Sequence, residues 1–581
     1  MRKNIIVLLP SMLLLAGVMA FKVAGTYKQP VIAKTGRYAA AARKKLLPGC
    51  GPVRGYDDAT GDIPPLPGWG NYTWKITTAD DSAQYYFNQG INMYYAFHII
   101  ESTASFEKAI RFDSTCAMAW YGKALSLGPN INYGNGYRSP TEAWQSATKS
   151  LQLYTNCTAL EKGLIEALQQ RYSADVKASI KDLKEHYIIA MQQLSNEYNN
   201  NADVVALYAD ALMVLHPWDL YDHTLQPKPW TPNIQKVLEH ALAINPRHPG
   251  ANHYYIHTME GSEHPELALK SAETLGTLMP GVSHVTHMPS HIYIRTGFYK
   301  KGISVNDSAV AAYNIYAGLY NPATYGIVLY SFHNIHLKAD CAQMAGNYAN
   351  AMAAAKALKE GITADYINTA DAGGNLFQYL HETQTLTQVR FGKWDDILNA
   401  PVTDSLAYAS LLQHFARGMA YSRKHLFTEA GKELQVVQAG LQNSVLKDVP
   451  DPFSAAYDAA LIAEGILQGT IAKEQGHLPE AIMAFEKAVI AEDNLIYNEP
   501  RDWPLPARQY LGTVLLQTKE YAKAIAVFNR DLVINPNNGW SLTGLLQAYK
   551  AAGKTADAAK VAVRLNAAFA IKDVQVDHPV F

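Results

Sequence analysis

Cysteine is scarce in this sequence and so is any imbalance of charge, and each shortage excludes a class of function. The four cysteines, Cys50, Cys116, Cys157 and Cys341, are scattered and form no C-x-x-C pair, so a zinc ribbon and a dithiol redox motif are both excluded. Their spacing pairs none of them, and they read mostly as small core residues. Lys and Arg number 50 against 51 Asp and Glu, a formal net charge of -1. That balance argues against a general binder of nucleic acid or acidic membrane, because both demand an excess of basic side chains. No basic stripe interleaved with aromatics offsets the average, so nucleic acid is not an expected partner. A G-x-S-x-G nucleophile elbow, a phosphate loop and a Rossmann fingerprint are also missing. The pair Gly373-Gly374 follows Asp371-Ala372 and reads as a loop between helices.

What is present begins with a positive start, Arg2 and Lys3, followed by an apolar run from Ile5 to Phe21. Val18-Met19-Ala20 sets small residues where a signal peptidase cuts, so residues 1–20 are expected to be a signal peptide or an N-terminal anchor. The expected location is therefore exported: periplasmic, or membrane-anchored and facing the periplasm. Membrane contact is expected only through that anchor. Residues 21–79 read as a tether, broken by Pro48, Gly49, Gly51, Pro52, Pro64, Pro65, Pro67, Gly68 and Gly70. From about residue 80 onward helical periodicity dominates and strand-like alternation is scarce.

A repeat runs through the helical part. Leu511-Gly512, Tyr521, Ala524, Phe528 and Pro536 mark one unit, and Gly90, Phe106 and Ala109 mark another. Gly469, Ala481, Phe485 and Ala488 repeat the spacing, and Pro246 and Pro280 lie 34 residues apart. Small residues let two antiparallel helices approach, aromatics fill the gap, and proline ends the second helix. On these residues the chain resembles the tetratricopeptide repeat (TPR) superfamily, whose period is about 34 residues. Stretches such as His248-Pro249-Gly250-Ala251-Asn252-His253 and His287-Met288-Pro289-Ser290-His291 also resemble bacterial exported TPR proteins without a settled activity. The resemblance implies an all-α, TPR-type helix-pair solenoid with loop insertions. Its parts are expected to be N-terminal helices at 80–200, central repeats at 201–400 and C-terminal repeats at 401–581. Insertions interrupt the period at Pro217 to Pro232, Tyr313 to Tyr330 and Asn498 to Pro506.

Eight of the 19 histidines fall between residues 253 and 336. His253 and His257 are spaced i,i+4 and share a helix face. One period on, His287 and His291 repeat the pair. A step of 49 residues, the period plus an insertion, carries His284 to His333, His287 to His336 and His291 to Asp340. The expected columns are His253–His287–His336, continued by Glu382, then His257–His291–Asp340, and His284–His333. The resemblance implies that first helices line a concave groove, so these columns face a ligand.

Imidazole suits zinc, copper and iron, and an i,i+4 pair can hold one ion from a single helix. The candidate metal ligands are His253, His257, His284, His287, His291, His333 and His336. A metal-free groove is the competing reading, with Tyr254, Glu260, Tyr293, Arg295, Asp340 and Glu382 as ligand-binding groups. His264, in a turn before Pro265, stands outside the site. Trp218 and Trp230 read as a lid or as pins for their insertion, and Glu499, Trp503 and Arg508 as holding the last one. The leading function is an exported scaffold that takes a peptide, protein or small molecule in its groove, through a His-bound transition metal. The alternatives are a metal-dependent enzyme, hydrolytic or oxidative, with Glu260 or Asp340 as base, and an adaptor whose histidines contribute little. An enzyme requires a closed pocket beside an incompletely ligated metal, whereas a scaffold can leave its groove open.

Overall fold

The computed structural model describes residues 62–133, 137 and 139–581. The apolar N-terminal run, Cys50 and most of the expected tether lie outside the described residues. Within them the chain is an all-α solenoid of 27 helices in antiparallel TPR-type pairs. Among the described residues no helix is long and apolar enough to cross a membrane.

The repeat signature explains the pairing. A Cβ on Gly90 would stand 2.8 Å from the Phe106 ring, and one on Gly122 would stand 2.2 Å from it. Phe106 is therefore clamped between the Asp81–Tyr95 and Ala117–Ser126 helices by two residues that lack a side chain. Phe528 repeats the arrangement between Gly512 and Gly544, at 2.4 and 2.2 Å. Gly469 and Phe485 make a third such contact at 2.5 Å. Interiors this dense do not accept added volume. Gly544→Val is expected to destabilise the protein by roughly 1–3 kcal/mol through overpacking. A urea midpoint equal to that of the parent would show that the Phe528 ring has room to move.

Two large apolar cores form, one running from Ile63 to Ala323 and the other from Tyr379 to Val580. The described end of the stretch read as a tether belongs to the first of them. Ile63 and Leu66 are buried there, and the Leu66 amide donates to Gln89 Oε1 at 2.9 Å. Prolines stopped helix formation in this stretch without keeping it off the core.

The solenoid closes on itself. Tyr316 Oη donates to the Pro67 carbonyl, Tyr330 Oη to that of Phe97, and Tyr299 Oη to that of Pro536. Trp540 Nε1 donates to the Gln343 carbonyl at 2.8 Å. Both ends of the described chain thus meet its centre, and the central helices face enclosed protein in place of the concave groove expected.

Candidate metal centre

The Pro249–Glu260 helix carries His253 and His257 on one face, with Nε2 atoms 3.1 Å apart. His253 Nδ1–H donates to the Tyr95 carbonyl at 2.6 Å. A carbonyl only accepts, so this bond leaves His253 Nε2 bare. His257 Nδ1 lies 2.8 Å from Glu260 Oε1, which likewise turns its Nε2 toward His253. His284, from the Ser283–His287 helix, completes the first group, its ring centroid 4.9 Å from that of His253. Ligand atoms of these three rings lie within 4.8 Å of one another.

A second triad adjoins it. His287 ends the Ser283–His287 helix and His291 lies in the Pro289–Thr296 helix, with Pro289 interrupting the backbone ladder between them. Their Nε2 atoms are nevertheless 2.7 Å apart. His287 Nδ1–H donates to Asn306 Oδ1 at 2.5 Å, and Asn306 is oriented by its own Nδ2 donating to the Gly302 carbonyl. His333 supplies the third ring, its Nε2 3.5 Å from that of His291. It follows a single turn of π-helix at Val328–Phe332, a local widening that often marks a functional position.

Glu260 ties the triads together. Its Oε1 meets His257 Nδ1 and its Oε2 lies 2.9 Å from His291 Nδ1. Tyr497 Oη also donates to Oε2 at 2.8 Å. Glu499 Oε2 comes within 2.7 Å of the same His291 nitrogen, a close ion-pair distance set off the axis of the N–H. The centroids of His257 and His291 are 5.9 Å apart, and those of His284 and His287 are 6.0 Å apart.

Burial controls the charge of these rings. It drives His253, His284, His287 and His333 well below the ordinary histidine range, and neighbouring imidazoles push the same way. His291 is the exception. Burial opposes its charge, but Glu499 and Glu260 outweigh burial and push it up to about 10. Without metal, His291 Nε2–H can therefore donate to the bare His287 Nε2. Glu260 is held well below the usual carboxylate range: its own burial opposes this, and His291 and His257 overcome it.

Each third ligand sits three residues before the column position expected for it. His284 joins His253 where His287 was expected, and His333 joins His287 where His336 was expected. Successive helices are staggered, so the residue one turn earlier comes level with the preceding pair. The same offset at the next helix brings Tyr379, not Glu382, to His336, with centroids 5.2 Å apart and planes at 86°. His336 therefore stands apart from both triads.

The other candidate ligand-binding groups do not face the imidazole nitrogens. Asp340 is buried beside Arg390, and burial raises its carboxyl to about 8. Glu382 accepts from Gln413, His381 and Thr385. Tyr293 packs on Phe298 and Lys301. Tyr254 backs Phe97 and His253 with its ring. Arg295 holds the backbone under the site, donating to the carbonyls of Glu260 and Ser262. Trp218 meets His257 edge-on at 5.1 Å, whereas Trp230 stacks on His216 at 3.7 Å and pins the insertion.

The sequence columns gave no sign of Phe97, which packs against His253, His257 and His284 from the far N-terminal end. Glu499 sits at the site itself, whereas its position in the last insertion suggested only that it held that loop. No period links either residue to the histidines. The one available signal for Glu499 was its place in a Trp-containing insertion.

No protein-family model matches the chain, and no curated protein matches it. Among solved structures, the human IFIT1 dimer with m7Gppp-AAAA is similar at 14% identity and a TM-score of 0.29, covering 84% of this chain and 90% of that one. Yeast Tom70 is similar at 12% identity and a TM-score of 0.25, covering 85% of this chain and 93% of its own. Ypp1 is similar at 10% identity and a TM-score of 0.37, covering 82% of this chain and 76% of its own. Likeness at these scores carries no argument about ligand or activity.

Proposed function

We propose that this protein is an exported TPR-type scaffold built around a dinuclear transition-metal centre. His253, His257 and His284 hold one ion, and His287, His291 and His333 hold the other. The observation that carries this reading is His284. It is buried, and among the described residues neither ring nitrogen meets a hydrogen-bond partner. An unsatisfied buried polar group costs about 1–3 kcal/mol, and an ion shared with His253 and His257 removes that penalty. The facing Nε2 atoms support the same reading, because two bare nitrogens at 3.1 Å repel unless a cation or proton lies between them.

Glu260, Asn306 and the Tyr95 carbonyl engage the Nδ1 side of the ligating rings, the orienting arrangement usual around metal-bound histidine. Three protein ligands per ion leave a coordination position open, as in catalytic sites and unlike closed structural ones. Together with the enclosed setting, that favours a reaction centre over a passive clamp. The N-terminal apolar run supports export.

Elemental analysis of the reconstituted protein tests the reading. About two ions per chain are expected, with about one retained by His284→Ala and none by His257→Ala/His291→Ala. A parent protein that takes up no zinc, copper or iron would refute it.

A further inference from the structure

Beside the second triad lies a cavity of about 170 Å³, lined by Phe97, Trp218, Phe377, Tyr408 and Phe453. His333, His336 and Glu499 lie on its wall. The cavity is apolar over most of its surface, with these aromatic rings on its wall and His333 and Glu499 at the edge nearest the metal ligands. Its volume is below the roughly 300–1,000 Å³ of pockets that hold drug-sized ligands, which suits a single flat ring. We infer that the two ions are copper, and that the centre reduces dioxygen with electrons from a one-ring 1,2-diphenol bound in this cavity. This rests on the dinuclear reading above.

The donor set selects the metal. Each triad offers three imidazole nitrogens, and although Glu260 and Glu499 also form a cluster with His257, they approach His257 and His291 from the Nδ1 side, away from the facing Nε2 atoms. Imidazole suits copper, zinc and iron alike, and copper binds most tightly among the divalent first-row metals. Charge points the same way. The imidazoles are neutral ligands with two carboxylates, Glu260 and Glu499, beside them, and two Cu(I) add only two positive charges against these. Transfer of one electron from each to dioxygen would give two Cu(II) and peroxide, with the total charge unchanged. Two zinc or iron(II) ions would instead add four positive charges, more than the two carboxylates of Glu260 and Glu499 can offset.

The substrate follows from the cavity and from electron count. A 1,2-diphenol has an apolar ring face for Phe97, Trp218 and Phe453 and two hydroxyls on one edge for the polar end. It loses two electrons and two protons to become the quinone, matching a pair of one-electron centres. Two diphenols together supply four electrons and four protons, which convert one dioxygen into two waters, so the cycle balances. Glu499, on the cavity wall and in contact with His291, is placed to pass the hydroxyl proton inward.

The full-length protein, loaded anaerobically with Cu(I), is to be mixed with dioxygen and then 4-methylcatechol. Two coppers per chain, a new near-ultraviolet absorption on admitting oxygen, and one dioxygen consumed per two quinones formed are expected. Zinc-loaded protein should do neither. Phe453→Trp narrows the cavity without touching a ligand, and should raise KM for the diphenol about tenfold while keeping two coppers and the absorption. Two bound coppers with no oxygen uptake would overturn this inference and leave the dinuclear reading standing. An unchanged KM in Phe453→Trp would overturn the assignment of the cavity. Failure to bind any metal would instead sink the underlying reading.

Discussion

Glu260→Ala is expected to weaken both metal positions at once and to destabilise the metal-free protein by about 3–5 kcal/mol. The carboxylate meets one histidine of each triad, His257 at 2.8 Å and His291 at 2.9 Å, and accepts from Tyr497 as well. Removing it leaves a buried imidazolium at His291 with only Glu499 nearby, and an uncompensated buried charge is the costly result of breaking such a pair. Loss of a carboxylate that orients a ligating ring typically lowers metal affinity by about 10–100-fold. Glu260→Gln keeps an acceptor for one ring but turns an amide N–H toward the other, so one triad should suffer more than its neighbour. Metal titration and urea unfolding of the three proteins decide the matter. Unaltered affinity at both positions in the alanine variant would show that Glu260 does not orient the ligands.

Each of four buried histidines should draw stability from the metal-free protein as pH falls from 7 to 5. Burial holds His253, His284 and His287 well below the ordinary range and brings His336 down to about 3. The unfolded chain takes up these protons near pH 6.5 while the folded chain does not. Below pH 6.5 the unfolded state therefore binds more protons, and stability falls as pH falls. At pH 5 each group removes on the order of 2 kcal/mol. Four such groups together would remove roughly 8 kcal/mol, and the buried carboxyls of Asp340, raised to about 8, and of Glu492 and Asp502, raised to about 7, act in the opposite sense over the same range. His291 also acts opposite to those four histidines. Raised to about 10, it gives stability that is complete below pH 6.5 and is lost as pH climbs toward 10, so it does not rescue the acid limb. Urea midpoints of the parent and of His336→Phe at pH 7 and 5 test this: the variant should lose less stability on acidification, and equal losses would contradict it.

Much of the architecture was legible because it depends on local spacing. Gly90 with Phe106 and Gly512 with Phe528 are separated as one helix pair requires, and those residues make the contacts. The i,i+4 pairs His253–His257 and His287–His291 were legible for the same reason, even with Pro289 between the latter two. The third ligand of each triad was not, because helix stagger depends on how whole pairs pack and has no signature in the period. That stagger moves His333 into the place expected for His336 and sets Tyr379 against His336 in the next step. Phe97 and Glu499 were illegible as site residues for a simpler reason. They reach the histidines only because the solenoid closes, and closure is a property of accumulated curvature over the whole chain.

That closure has a bearing on the order of assembly. The six imidazoles are all made by residue 333, but Tyr497 and Glu499, which meet Glu260 and His291, emerge more than 160 residues later. A chain caught partway through synthesis or translocation would carry every nitrogen of the centre and lack the carboxylate and phenol that hold the cluster from the other side. Maturation of the centre is thereby tied to arrival of the last repeats, so a truncated product would remain unfinished in chemistry as well as in length.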